Sequence, residues 1–133
     1  MAQRERPRGV IGVVGPCASG KSTLIAGLRA LGYPARHIAQ EHSYVPDMWQ
    51  RLTRPTVLVF LDVSFPVAQA RRPMPWKEAD FLEQQRRLAH ARAHADLVLL
   101  TDALSPQEVL RRVVDFLTQQ GFPPPRGDPQ GLP

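Results

Sequence analysis

Lysine is almost missing from this chain: of 133 residues only Lys21 and Lys77 are lysine, against 15 arginines. Cysteine occurs once, as Cys17, so no internal disulfide can brace the fold and a disulfide-stapled scaffold is excluded. Aromatic residues make up only 7% of the sequence. No aromatic RNA-binding signature, helix-turn-helix pattern or zinc-finger spacing is present, which leaves nucleic acid unsupported as a partner. No apolar run approaches the length needed to cross a bilayer. The N-terminal residues also lack the basic head, apolar stretch and cleavage site of a secretory leader. The expectation from these absences is a cytoplasmic chain without a membrane partner.

What is present suits a globular body. A hydrophobic content of 43% is enough to build one core at this length. The formal net charge is +5, carried on the positive side almost wholly by arginine. Guanidinium groups bind phosphate or carboxylate through two parallel hydrogen bonds, so the composition suits anionic partners. Part of that charge, Arg4, Arg6 and Arg8, lies ahead of the first apolar run. Residues 1–8 and the Pro- and Gly-rich stretch 121–133 read as flexible tails, leaving 9–120 as one domain.

Within that domain, short β-branched runs alternate with longer amphipathic stretches, the pattern of a parallel sheet flanked by helices. Gly9 to Val14 reads as a buried strand. A helix is expected from Lys21, with Leu24, Ile25, Leu28 and Leu31 at helical spacing and Gly32 as its stop. Ala35 to Glu41 is a weaker strand. Thr56 to Val63 is nearly all apolar, as a strand buried on both faces should be. Ser64 and Pro66 open a short helix ending at Arg71 and Arg72, and Lys77 to His94 reads as a longer one. Asp96 to Leu100 is a further strand. Ser105 and Glu108 form a capping box for the last helix, with Pro106 in its first turn, Leu104 able to staple to Val109 and Gly121 past its end.

The residues with the most chemical content lie between the first strand and the first helix. Gly15-Pro16-Cys17-Ala18-Ser19-Gly20-Lys21-Ser22 matches the phosphate-loop pattern G-x-x-x-x-G-K-[ST] in the strand-to-helix context that the pattern requires. Glycines let the backbone curl until successive N–H groups point inward, where they join the positive end of the helix dipole. Lys21 would then reach the β- and γ-phosphates of ATP or GTP, the Ser22 hydroxyl would ligate Mg²⁺, and Thr23 follows in the same turn. From the composition of this chain the pattern arises by accident roughly 6 times in 10,000. Cys17 reads as a small filler of the loop, since no second cysteine is there to resolve an oxidised state.

Later strings add to the loop: Leu61-Asp62-Val63-Ser64 ending a buried strand, Arg71-Arg72 about a helix later, and Ala95 to Asp102 leading into Leu104-Ser105-Pro106. In this order the chain resembles the P-loop kinases of nucleosides, nucleotides and other small metabolites, over most of residues 9–117. The resemblance implies a single-domain α/β fold of the P-loop NTPase, kinase-like type. It also implies transfer of a γ-phosphate from ATP or GTP, with Mg²⁺, to a small-molecule acceptor. Arg71 or Arg72 matches the lid arginine that clamps the transferred phosphoryl group, and Arg86 or Arg87 is a candidate for a second one. Thr101, Asp102 and Ala103 match the turn that borders the base. The family usually inserts an acceptor-binding segment and another strand, ending in an acidic residue, before the strand that Thr56 to Val63 resembles. Here only residues 43–54 remain.

Two carboxylates compete to complete the metal shell. Asp62 has the apolar-run-then-acid form, while Glu41 ends the weaker strand in the position that the resemblance favours. Residues 41–54 concentrate polar and aromatic groups, making His42, Tyr44 and Trp49 candidate acceptor contacts. The plainer alternative is a short helix of Met48, Trp49 and Leu52 covering the sheet. His90 and His94 read as a solvated helix face, and Trp76 as either a base-stacking or a core residue. Two activities stay open: a small-molecule kinase, and an NTP-binding or hydrolysing switch that acts on a protein partner and has no small-molecule acceptor. Against a GTPase switch, no Asn-Lys-x-Asp string is present.

Overall fold

The computed structural model describes residues 9–73, 75 and 77–126. The N-terminal segment and Trp76 lie outside the described residues, as does the chain beyond Arg126. Four strands, β1 (Ile11–Val14), β2 (Ala35–His37), β3 (Val57–Asp62) and β4 (Leu97–Leu100), form one all-parallel sheet in the order β2-β1-β3-β4. Among the described residues five α-helices accompany them: α1 (Lys21–Ala30), α2 (Met48–Leu52), α3 (Phe65–Arg71), α4 (Glu78–His94) and α5 (Pro106–Gln119).

Strand periodicity sorts the apolar side chains onto two faces. Ile11 and Val13 of β1, with Val57, Val59 and Leu61 of β3, pack against Leu24 and Leu28 of α1 and Val113 and Leu117 of α5. On the other face Val14, Leu58 and Phe60 meet Trp49 of α2 and Leu88 and Ala91 of α4. The uninterrupted apolar run of β3 follows from this, because a central strand covered on both faces has no solvent side to spend polar residues on. The connections leaving the adjacent strands β1 and β3 cover opposite faces of the sheet, with α1 on one and α4, which follows α3, on the other. Such a reversal opens a crevice beyond the carboxyl ends of the strands.

Helix ends follow their sequence signals closely. The Ser64 hydroxyl accepts from Val67 N to cap α3, and Ser105 and Glu108 close the reciprocal capping box of α5. The weaker strand ends sooner than expected. β2 stops at His37, and Gln40–His42 form a 3₁₀ turn, so Glu41 lies on a turn beyond the sheet and not at a strand end.

The C-terminal stretch expected to be mobile from Gly121 is fastened down at its start. Tyr33 Oη donates to Phe122 O at 2.7 Å, and Arg126 N donates to Leu31 O at 2.9 Å. Burial pushes the Tyr33 phenol up from 10.0 to about 12. A phenol that holds its proton longer folded than unfolded contributes stability below pH 10.0, and that stability is lost as pH rises through about 12. In urea titrations the wild-type midpoint should therefore fall more steeply over this alkaline window than that of Tyr33→Phe. Parallel curves would show that Tyr33 is not the group responsible.

Candidate functional site

The crevice is occupied by the Gly15 to Ser22 loop, which leaves β1 and enters α1. Gly15 sits at φ +154°, and a Cβ there would come 2.1 Å from the carbonyl oxygen of Leu61, so the loop turns directly beneath β3. Gly20 at φ +102° is the residue before α1. No side chain caps that helix, and its first turn carries no acid. The contrast is with α3 and α5, whose N-termini are closed by serine. The first N–H groups of a helix lack intrahelical partners. At α1, therefore, the positive end of the helix dipole meets neither a capping side chain nor an acid of its own first turn.

Lys21 turns back into the loop. Its Nζ donates to Gly15 O at 2.6 Å, to Pro16 O at 2.9 Å and to Glu41 Oε2 at 3.1 Å, and the side chain is only 8% exposed. Glu41, brought there by the 3₁₀ turn, is 2% exposed. Its second oxygen, Oε1, is buried with no hydrogen-bond partner, as is Ser19 Oγ. The imidazole Nε2 atoms of His37 and His42 lie 3.9 and 3.7 Å from Glu41 Oε2. Burial, and after it the Lys21 ammonium, hold His37 below the usual imidazole range, so it is neutral at neutral pH.

Two cavities adjoin the loop and share Ala18, Gly20, Thr23 and Arg72. One, of about 480 Å³, has Lys21, Ser22, His37, Glu41 and His42 in its wall. The other, of about 410 Å³, runs along Leu24, Leu104, Pro106 and Val109 to Thr101 and Arg71. Together they make a cleft with one charged half and one largely apolar half, astride the N-terminus of α1.

Arg71 is spent on holding this cleft together. Its guanidinium donates to Ala18 O at 3.1 Å, to Thr101 Oγ1 at 3.0 Å and to Thr101 O. The Thr101 hydroxyl in turn donates to Ser19 O at 3.0 Å, tying the end of β4 to the loop. Arg72, by contrast, lines both cavities. Asp102 turns aside to accept from Ser64 N at 2.9 Å.

Of the two carboxylates, Glu41 is against Lys21 and Asp62 is not. Asp62 accepts from Val63 N at 2.9 Å, lies 3.5 Å from Arg92 and lines neither cavity. Trp49 is likewise not brought to the cleft. It packs in the core beneath α4, 7% exposed, and its Nε1 donates to His90 Nδ1 at 3.0 Å. His90 and His94 stack on each other with ring centroids 4.2 Å apart. Tyr44 is 80% exposed and lies under the Arg87 guanidinium at 4.1 Å. Arg86 pairs with Glu83, and Arg87 donates to Glu83 and to Glu41 O. Neither arginine lines the two cavities.

Three glutamine and histidine positions escape sequence reasoning. Gln84 of α4 reaches across to the loop, accepting from Cys17 N at 3.1 Å and donating to Cys17 Sγ at 3.3 Å. Gln40 accepts from Trp49 N at 2.8 Å and donates to Val45 O at 2.8 Å, fixing the turn that carries Glu41. His37 is the third. Its spacing of four residues before Glu41 is the one available signal; Gln84 gives none because its partner Cys17 is distant in sequence, and Gln40 none because its bonds go to backbone groups, which every residue type supplies.

Compared with known proteins, the chain matches no protein-family model, and no curated protein matches it either.

Proposed function

We propose that this chain is a P-loop nucleotide-binding protein of kinase-like fold that takes ATP or GTP with Mg²⁺ and transfers the γ-phosphate to a small metabolite. The observation that carries the reading is the uncapped N-terminus of α1, wrapped by a glycine-hinged loop around one buried lysine. A triphosphate would satisfy the helix N–H groups and draw the Lys21 ammonium from its own loop carbonyls. The largely apolar cavity beside Leu104, Pro106 and Val109 suits a base, and Thr101 borders it as the motif order implies.

The residues present fit the metal as well. Glu41 Oε1 is a buried carboxylate oxygen without a partner, and the Ser22 hydroxyl lines the same cavity. Ser22 would ligate Mg²⁺ and Glu41 would stand behind it, the ion neutralising charge on the phosphates. Arg72, which borders both halves of the cleft, is the arginine that would stabilise the transferring group, while Arg71 positions the loop.

A switch without a small-molecule acceptor is the second reading, and the burial of Trp49 favours it, since that removes one acceptor contact from the cleft. Incubation with γ-labelled ATP and a panel of nucleosides, nucleotides and sugars separates the two. Label recovered on an acceptor supports the kinase. Nucleotide binding with no labelled acceptor ends the kinase reading and leaves the switch, and no nucleotide binding at all ends both.

A further inference from the structure

The nucleotide reading leaves Cys17 without a task. Its Sγ, a carboxylate oxygen of Glu41 and a ring nitrogen of His42 all lie within 4.8 Å of one another at the mouth of the loop. Tetrahedral zinc bound through sulfur at about 2.3 Å and through nitrogen or oxygen at about 2.0–2.2 Å needs ligand separations of about 3.4 Å. Closing that difference asks for side-chain rotation, and His42, with 61% of its side chain exposed, has room for it.

We propose that Cys17, Glu41 and His42 form a zinc-binding site on the phosphate-loop face of the cleft. A thiolate, an imidazole and one carboxylate are a donor set that selects Zn²⁺ over the hard cations, whose preferred ligands are all oxygen. The buried, unpartnered Glu41 Oε1 is an acceptor that the fold itself leaves unused. Lys21, 3.1 Å from Oε2, occupies the other oxygen of the same carboxylate and fixes its orientation. The support around the thiol is also in place: Gln84 Nε2 donates to Sγ at 3.3 Å, a contact that steadies a metal-bound thiolate from outside its ligand shell. With three protein ligands the fourth position is left to water, as in open zinc sites. Binding forms the Zn–S bond and releases the thiol proton to solvent. The site shares Glu41 with the Mg²⁺ arrangement above, yet stands on side chains of this chain alone, and its failure would leave the nucleotide reading untouched.

Cobalt makes the test optical. The reduced full chain, titrated with Co²⁺ in the absence of nucleotide, should develop a sulfur-to-cobalt charge-transfer band in the near ultraviolet that Zn²⁺ bleaches. Cys17→Ser should abolish the band, and His42→Ala should weaken Zn²⁺ binding by about tenfold or more. Because Cys17 is the chain's one cysteine, alkylation gives a second measurement on the unmutated protein. Zn²⁺ should protect the thiol in wild type, with protection at the same metal concentration lost in His42→Ala. A wild-type protein that shows no band, or a band that survives in Cys17→Ser, would overturn the proposal, as would alkylation that proceeds equally with and without Zn²⁺.

Discussion

Lys21→Ala is expected to lower the affinity for Mg²⁺-bound ATP by about 100-fold, since one charge-assisted hydrogen bond contributes about 1.5–3 kcal/mol. The same substitution should destabilise the fold. Lys21 Nζ lies 3.1 Å from Glu41 Oε2, and that carboxylate is only 2% exposed. Removing the ammonium leaves a buried charge uncompensated, which costs about 3 kcal/mol or more. The two effects separate in the double substitution Lys21→Ala/Glu41→Gln. With both charges gone, stability to urea should largely return while affinity, read by titration with a fluorescent ATP analogue, stays low. Asp62→Asn serves as the comparison, because Asp62 lines neither cavity and its loss should leave affinity near that of wild type. Unchanged affinity in Lys21→Ala would mean that the loop does not bind the phosphates.

Gly15→Ala should be more damaging to stability than Gly20→Ala at the loop's other glycine. Its Cβ would stand 2.1 Å from Leu61 O and 2.9 Å from Ser19 Oγ, so the backbones of β1 and β3 must move apart to admit it. Overpacking against rigid backbone costs about 3 kcal/mol or more, which lowers the melting temperature by about 10 °C for a domain of this size. Gly20→Ala meets nothing within 4 Å and bears only the strain of φ +102°. Its cost should be about 1–2 kcal/mol. Thermal unfolding of the two variants side by side decides the matter, and equal losses would show that strain, not collision, is what glycine relieves at Gly15.

Much of the fold could be read along the chain, for reasons that are local. α5 announces itself through Ser105, Pro106 and Glu108 because a capping box closes over four residues. β3 announces itself through its apolar run because both of its faces are covered. The weaker reading was Ala35 to Glu41, where three residues of strand give way to a 3₁₀ turn. That turn is held by Gln40 bonding to Val45, Trp49 and, from α4, the carbonyl of Arg87. Side-chain bonds to backbone groups leave no periodic mark on the segment itself.

The candidate site divides in the same way. Gly15, Gly20, Lys21 and Ser22 stand out in sequence because phosphate-loop geometry needs those residue types at fixed spacing within eight positions. Between Glu41 and Asp62 as the acid for the metal shell the sequence does not choose, since the apolar-run-then-acid pattern points to Asp62 and the family resemblance to Glu41. The strand order placed β2 beside β1 and so carried the turn after it to the loop, whereas Asp62 was left beside Arg92. Arg71 and Arg72 were equally interchangeable until the end of α3 turned one guanidinium onto Thr101 and the other side chain along both cavities. The sequence by itself determined the loop, the alternation of strands and helices and the helix ends, all of which are set by chemistry among near neighbours. Only the tertiary structure decided which acid, which arginine and which half of the cleft meet at that loop, because those meetings depend on how separate elements pack around the sheet.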